Sequence, residues 1–194
     1  MKTKKYLLLA VFFLISMVSF SIPNKEVLTK SEIMEIRKVS IQDVDKLNSY
    51  IAIFTALQEA SLGEYSGNYT QNFTDGNGNF KVPTEKSIEN FVKVYESYVS
   101  KYKKLDEALD IAKSKISAKP SLKRLDSYTD NFIVDMKAER TKMKEMYEYY
   151  KNKEYKKDKF AKGKILNNQY FEATRFSSDK FLLFYNALRA VLND

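Results

Sequence analysis

One apolar pattern limits the fold of this chain more than any other feature. Apolar side chains recur every three or four residues over about eight helical turns, the spacing that places them on one face of an α-helix. The pattern begins behind Pro83 and Thr84, a typical helix start, and ends at Lys119-Pro120. We therefore predict a helix over residues 84–118, roughly 50 Å long. Its apolar positions are Ile88, Phe91, Val92, Tyr95, Tyr98, Val99, Tyr102, Leu105, Leu109, Ala112 and Ile116.

Two further helices are indicated after this one. Ser121 starts a helix that extends to Tyr150, and the short Lys119-Pro120 connection forces it to run antiparallel to its predecessor. A break at about 152–157 precedes a last helix, with Asp158 as its N-cap. Its apolar positions are Phe160, Ile165, Leu166, Tyr170, Ala173, Phe181, Leu182, Tyr185, Leu188 and Leu192.

The part of the chain before Pro83 is less regular. Apolar spacing indicates a first helix over about 31–60. Four of the five glycines fall within residues 61–83 together with several asparagines, so we predict a long polar loop there. A loop of about 20 residues in a compact domain is either functional or mobile.

These patterns predict an all-α protein. We expect an up-and-down helical bundle of three long antiparallel helices plus a shorter N-terminal helix, in a single domain over residues 31–194. The only alternating stretch, residues 79–82, is too short to build a sheet.

The first 21 residues have the layout of a secretory signal peptide. Three lysines precede an apolar run over residues 6–18, and the small residues Ser19 and Ser21 follow on either side of Phe20. The run is shorter than the roughly 20 residues of a membrane-spanning helix. We therefore expect cleavage near Ser21, a flexible leader over 22–30, and a mature protein that is periplasmic or secreted.

Charge and cysteine content narrow the set of partners. The chain has 33 Lys and Arg against 25 Asp and Glu, and loss of the three lysines in residues 1–21 lowers the net charge from +8 to +5. This excess is too small for a dedicated nucleic-acid binder, so we expect no nucleic-acid partner. We expect at most peripheral contact with an anionic membrane or wall polymer. Without cysteine the chain forms no disulfide and carries no lipid on cysteine.

The sequence lacks two of the residue types that enzymes most often use for catalysis. The sequence has neither His nor Cys, so the usual general bases and thiol nucleophiles are missing. Carboxylates at helical spacing, Asp106 with Asp110 and Glu145 with Glu148, lie among lysines and suit a solvated surface better than a site. The stretch at 75–79 begins like a calcium loop but lacks the later glycine and glutamate of an EF-hand. We expect no enzyme, no cofactor and no metal site.

The most specific stretch runs from Tyr149 to Lys164 and reads YYKNKEYKKDKFAKGK. It resembles the segment YY…K.Y.DDKFAKGK.LH of the YiiG-like family of bacterial envelope proteins, whose function is unassigned. The likeness covers about residues 43–194 and includes KLNSYI at 46–51. It implies an all-helical envelope domain, which in many members is a lipoprotein. Members generally extend past the equivalent of Asp194, so the chain is expected to be a short form or part of a longer protein.

Basic residues gather at both predicted ends of the bundle. Such groups can contact anionic head groups, acidic wall polymer or glycan, and ordinary solubilising charge explains them as well. Around the Pro120 turn they are Lys113, Lys115, Lys119, Lys123 and Arg124. Around the 152–158 turn they are Lys151, Lys153, Lys156, Lys157, Lys159, Lys162 and Lys164.

Three residues of the second turn form a candidate ligand site. Asp158 and Lys162 lie one helical turn apart and can pair, while Tyr155 can add an aromatic face and a hydroxyl beside them. A purely structural helix-turn-helix clip explains the same residues.

Tyr65 and Tyr69 are further candidates for ligand binding. Aromatic residues in a loop rich in Asn and Gly are typical of contact surfaces, although they can also fold back over the bundle. We hypothesise an exported, non-enzymatic helical protein that binds an envelope component or a partner protein through the loop and the helix tips. The alternative is a structural or adhesin-like helical module whose apolar stripe is completed by self-association.

Overall fold

The computed structural model describes residues 28–42, 44–75 and 77–192. The helices within them are α1 (Lys30–Gln42), α2 (Val44–Ala60), α3 (Leu62–Phe73), α4 (Glu85–Ile116), α5 (Arg124–Lys151), α6 (Tyr155–Asp158) and α7 (Ala161–Leu192). The predicted signal peptide and most of the predicted leader lie outside the described residues. The all-α prediction is confirmed, since the described residues contain no strand and only one isolated bridge, between Thr74 and Phe80.

The helices form a four-membered bundle around the core, in which α1 and α2 together make up one member and α4, α5 and α7 are the other three. α2 packs against α4, α4 against α5, and α5 against α7, while α1 packs against α7 and closes the ring. Short connections after α4 and α5 make the three long helices antiparallel, as predicted, and their ends lie within a few residues of the predicted ones. Among the described helices, none is long and apolar enough to span a membrane.

The loop predicted over residues 61–83 is wrong in its first half, because α3 occupies it. The aromatic residues of α3 recur at every fourth position and therefore share one face of the helix. All are fully buried, and each ring contacts Phe91 of α4 with centroids 5.1–5.7 Å apart. They are Tyr65, Tyr69 and Phe73. Their burial outweighs the weak helix propensity of Gly63 and Gly67 on the exposed side of α3.

The Pro120 end of the bundle is closed by a buried ion pair. Lys46 Nζ lies 2.8 Å from Asp126 Oδ2, and the same ammonium donates to three backbone carbonyls at the end of α4 and in the turn that follows. These carbonyls belong to Ile116, Ala118 and Pro120. Asp126 also accepts hydrogen bonds from the Tyr50 hydroxyl (2.7 Å) and the Leu122 amide (2.9 Å). We call Lys46, Tyr50, Leu122 and Asp126 the Lys46 clamp.

Candidate functional site

The stretch Tyr149–Lys164, which we call the fingerprint turn, forms the end of α5, the short α6 and the start of α7. Asp158 accepts hydrogen bonds from the Tyr149 hydroxyl (2.8 Å), the Phe160 amide (3.0 Å) and the Lys162 amide (2.9 Å). Burial opposes ionisation here, but these hydrogen bonds hold the pKa of Asp158 below its ordinary value. Asp158 therefore caps the first turn of α7, although that helix begins at Ala161 and not directly after it.

Tyr155 and Lys162 do not join Asp158 in an open ligand site. Tyr155 is buried, and its hydroxyl donates to Glu85 in the first turn of α4 at 2.7 Å. Burial, together with this bond, raises the pKa of Tyr155 to about 12. The Lys162 ammonium pairs with Glu154 at 2.9 Å, because Asp158 is engaged by the Lys162 backbone amide instead. The Asp158–Lys162 side-chain pair that the sequence spacing allows is therefore not formed.

Gly163 accounts for another position of the fingerprint turn. A Cβ at this position would lie 3.1 Å from Cε1 of Tyr149 and 3.1 Å from the hydroxyl oxygen of Tyr150. Both tyrosines are fully buried, so glycine is what allows α7 to approach α5 this closely. The contacts of the turn are thus those of a clip between helix ends.

Tyr65 and Tyr69 offer no surface to a ligand, because both are fully buried. The Tyr65 hydroxyl donates to the Met143 carbonyl at 3.3 Å, and the Tyr69 hydroxyl donates to Asn167 Oδ1 at 3.0 Å. Burial raises the pKa of both phenols, so they stay neutral. Their hydroxyls tie α3 to α5 and α7.

The calcium-like stretch is a closed turn. The Asp75 carboxylate accepts hydrogen bonds from the amides of Asn77 (2.8 Å) and Asn79 (2.9 Å). A bond from the Asn79 side chain, reinforced by these amides, lowers the pKa of Asp75. Its oxygens thus serve the turn itself. In the part of the chain that the structure describes, no group of three or more acidic residues is arranged to hold a metal ion.

Acidic side chains form ion pairs with many of the basic residues at the two ends of the bundle. At the Pro120 end, the ion pairs are Lys113–Asp130, Lys115–Asp45, Lys123–Glu35 and Arg124–Glu32. At the fingerprint turn they are Lys151–Glu96, Lys156–Glu85 and Lys162–Glu154. Lys157, Lys159 and Lys164 are exposed and form no ion pair with any described residue.

A cleft that the sequence did not reveal lies between α4 and α5, with a volume of about 400 Å³. On each helix the lining residues recur about once per helical turn, so each helix presents one face to the cleft. From α4 they are Tyr95, Val99, Tyr102, Lys103 and Asp106. From α5 they are Lys137, Arg140, Thr141 and Lys144.

Arg140 is the buried charge of this cleft. Its side chain is 7% exposed, and the guanidinium carbon lies 4.3 Å from the centre of the Tyr102 ring. It donates to Asp106 over 3.2 Å and 3.5 Å, longer than the roughly 2.7–2.9 Å of a strong charge-assisted bond. A further contact, to Met143 Sδ, measures 3.5 Å. The guanidinium is thus positioned by its neighbours, and its hydrogen bonds to Asp106 are long.

The rest of the cleft combines positive charge with aromatic surface. Lys103, Lys137 and Lys144 lie at its rim, and each also pairs with an acidic residue outside the lining, Glu107, Asp110 and Glu148 respectively. Among the lining residues themselves, four basic groups accompany the single carboxylate of Asp106. Burial raises the pKa of Tyr102, so its phenol stays neutral, and its buried hydroxyl has no hydrogen-bond partner among the described residues. The arrangement is suited to an anionic group that reaches Arg140 past a ring of lysines.

One sequence signal marks this cleft. Val99 belongs to the apolar stripe predicted for α4, a pattern that is typical of buried positions. The structure leaves Val99 54% exposed at the cleft. An apolar side chain that is exposed beside Lys137, Arg140 and Lys144 is typical of a groove rather than of a core.

Comparison with known proteins gives a family but no activity. The profile of a family described as protein of unknown function (DUF3829) matches residues 42–179. That range includes α2 to α6, most of α7, both ends of the bundle and the whole α4–α5 cleft. No curated protein and no solved structure shows a significant match.

Proposed function

The chain belongs to the DUF3829 family of proteins of unknown function, and we propose that it is an exported, non-enzymatic protein that binds an anionic envelope component in the α4–α5 cleft. Export is supported by the signal-peptide layout of residues 1–21 and by the resemblance of the fingerprint turn to YiiG-like envelope proteins. A binding role rather than a catalytic one is supported by a sequence that contains neither His nor Cys.

The placement of Arg140 carries this proposal. A guanidinium is planar and presents five N–H donors, which match the oxygens of a phosphate or carboxylate group. Low exposure increases the strength of such a contact, because water screens it less. Val99 and the Tyr102 ring supply apolar surface for the carbon skeleton of the ligand. The ligand class is therefore an envelope molecule that bears phosphate or carboxylate groups.

The carboxylate of Asp106 competes with a ligand anion for the Arg140 guanidinium. It is the ion-pair partner of Arg140 and is 46% exposed, so its carboxylate can move toward solvent when a ligand anion takes its place. Removal of its charge should therefore favour the ligand. We expect Asp106→Asn to increase affinity, whereas loss of the rim lysines should reduce it.

The test measures the thermal stability of the purified protein with poly(glycerol phosphate), with phosphatidylglycerol vesicles, and with phosphatidylcholine vesicles as the neutral control. A ligand that binds the folded state raises Tm by mass action. The two anionic probes separate a wall polymer from a lipid headgroup as the source of the phosphate. Stabilisation by neither of them would contradict the proposal.

Matched lysine variants locate the site. Lys103→Gln/Lys137→Gln/Lys144→Gln should weaken binding about tenfold, from roughly 0.5 kcal/mol per lost charge. Lys157→Gln/Lys159→Gln/Lys164→Gln removes the same charge at the fingerprint turn and should leave affinity nearly unchanged. Equal losses in the two triple variants would indicate non-specific attraction and would rule out the cleft.

A further inference from the structure

The outer face of α5 and α7 combines a projecting ring with a depression. Phe176 of α7 is 43% exposed. Beside it lies a hollow of about 260 Å³, to which the small residues Ala138 of α5 and Ala173 of α7 contribute. The Arg175 guanidinium carbon lies 5.1 Å from the centre of the Phe176 ring. An exposed aromatic side chain next to a hollow of this size offers apolar surface against which a partner can pack.

The apolar surface continues along α7. Ile165 and Leu183 are 57% and 38% exposed. They precede and follow Phe176 by eleven and seven residues, which are close to three and two whole helical turns, so all three lie on one side of α7. The strip they define is about 27 Å long at 1.5 Å per residue. Its length fits a partner that lies along the helix rather than one that touches a single point.

The charges around Phe176 alternate in sign. The hydrogen bond from the Ser177 hydroxyl to Glu139 fixes α5 against the antiparallel α7. Counted from this contact, Lys142 lies within about two residues of the level of Glu172 on one side of Phe176, and Asp135 lies within about one residue of the level of Lys180 on the other. The four charges therefore form a checkerboard around the exposed ring.

These charges are poorly neutralised within the chain. Asp135, Glu172 and Lys180 form no ion pair with any described residue, and Lys142 pairs only with its helix neighbour Glu145. On the α4–α5 side, by contrast, basic residues of both helices are paired with acids. The α5–α7 face thus presents charges of both signs that are available to a partner.

We propose that this face binds a second copy of the chain, antiparallel to the first, about a two-fold axis at Phe176. The rotation places Asp135 of one copy opposite Lys142 of the other, and Glu172 opposite Lys180. Because Phe176 lies at the axis, the Phe176 rings of the two copies meet there, beside the two hollows. A two-fold interface brings the same surface patch together from both subunits, and this checkerboard is complementary to its own rotated image. This inference does not depend on the ligand proposed for the α4–α5 cleft.

Sedimentation velocity of the purified protein over a range of concentrations tests the pairing. We expect a monomer–dimer equilibrium, and Phe176→Ser should raise the dimer dissociation constant about tenfold or more, because a central aromatic anchor is lost. Ile111→Ser is the matched control, since Ile111 is 54% exposed on α4, away from this face. Circular dichroism verifies that both variants are folded. A monomer at every concentration up to about 1 mM would overturn the proposal, as would equal effects of the two substitutions.

A charge exchange tests the arrangement independently of Phe176. Lys142→Glu places carboxylates of the two copies opposite each other and should weaken the dimer. The double variant Lys142→Glu/Asp135→Lys restores opposite charges across the axis and should recover most of the loss. Failure of the second substitution to recover any association would overturn the antiparallel pairing.

Discussion

At the Pro120 end of the bundle, Lys46 and Asp126 bury opposite full charges, whereas at the other end Asp158 binds neutral donors near the surface. Both solutions satisfy backbone groups that a helix end leaves without partners. Lys46 serves the C-terminal end of α4, and Asp158 serves the first turn of α7. The first is costly to disrupt because its charges have little access to water, and the second is more tolerant.

The comparison also explains what the recognisable segments of the sequence encode. KLNSYI supplies Lys46 and Tyr50 to the Lys46 clamp, and the stretch Tyr149–Lys164 supplies the cap, the buried tyrosine and the glycine of the fingerprint turn. Both segments therefore contain the residues that close the ends of helices. The proposed binding cleft lies between them, midway along α4 and α5, where no continuous motif exists.

The largest difference between the two ends should appear when one partner of the Lys46 clamp is removed. Lys46→Met leaves Asp126 charged and buried without its cation, and we expect a loss of about 3–5 kcal/mol in the free energy of unfolding. Urea denaturation measures it. Lys103→Met is the matched control, because the Lys103–Glu107 pair is exposed and should contribute less than about 1 kcal/mol. Similar losses in the two variants would show that the clamp is not a buried ion pair.

The sequence was sufficient to predict the long helices but not α3 or the cleft. A periodic apolar stripe is local information, so α4 and α5 could be located within a few residues. Gly63 and Gly67 indicated a loop because glycine has a weak helix propensity. Only the folded chain shows that the aromatic face of α3 is covered by Phe91, which stabilises the helix. The cleft depends on how α4 and α5 face each other, which the spacing within either helix does not specify.

A substitution at Gly163 should show how closely the fingerprint turn is packed. Gly163→Ala places a Cβ against the buried rings of Tyr149 and Tyr150, and we expect a loss of about 1–2 kcal/mol in the free energy of unfolding. Gly67→Ala is the control, since Gly67 lies in α3 with no atom near the position of its Cβ. That change should increase stability by about 0.5–1 kcal/mol, because alanine favours the helix. Stabilisation by both substitutions would mean that α5 and α7 adjust freely at this end.

The smallest effect should come from the charge of Asp158, and it should depend on pH. Its hydrogen bonds lower the pKa of Asp158 in the folded state below the ordinary value of 3.8. The charged carboxylate therefore stabilises the fold at pH values above 3.8, and this contribution is lost as the pH falls through the folded-state pKa. Asp158→Asn should therefore lower Tm by about 2 °C at neutral pH and by progressively less below about pH 4. Asp179→Asn removes an exposed carboxylate that has no ion-pair partner among the described residues, and it should leave Tm unchanged throughout. A Tm difference for Asp158→Asn that is the same at about pH 2.5 as at neutral pH would show that the shape of the cap, and not its charge, closes this end.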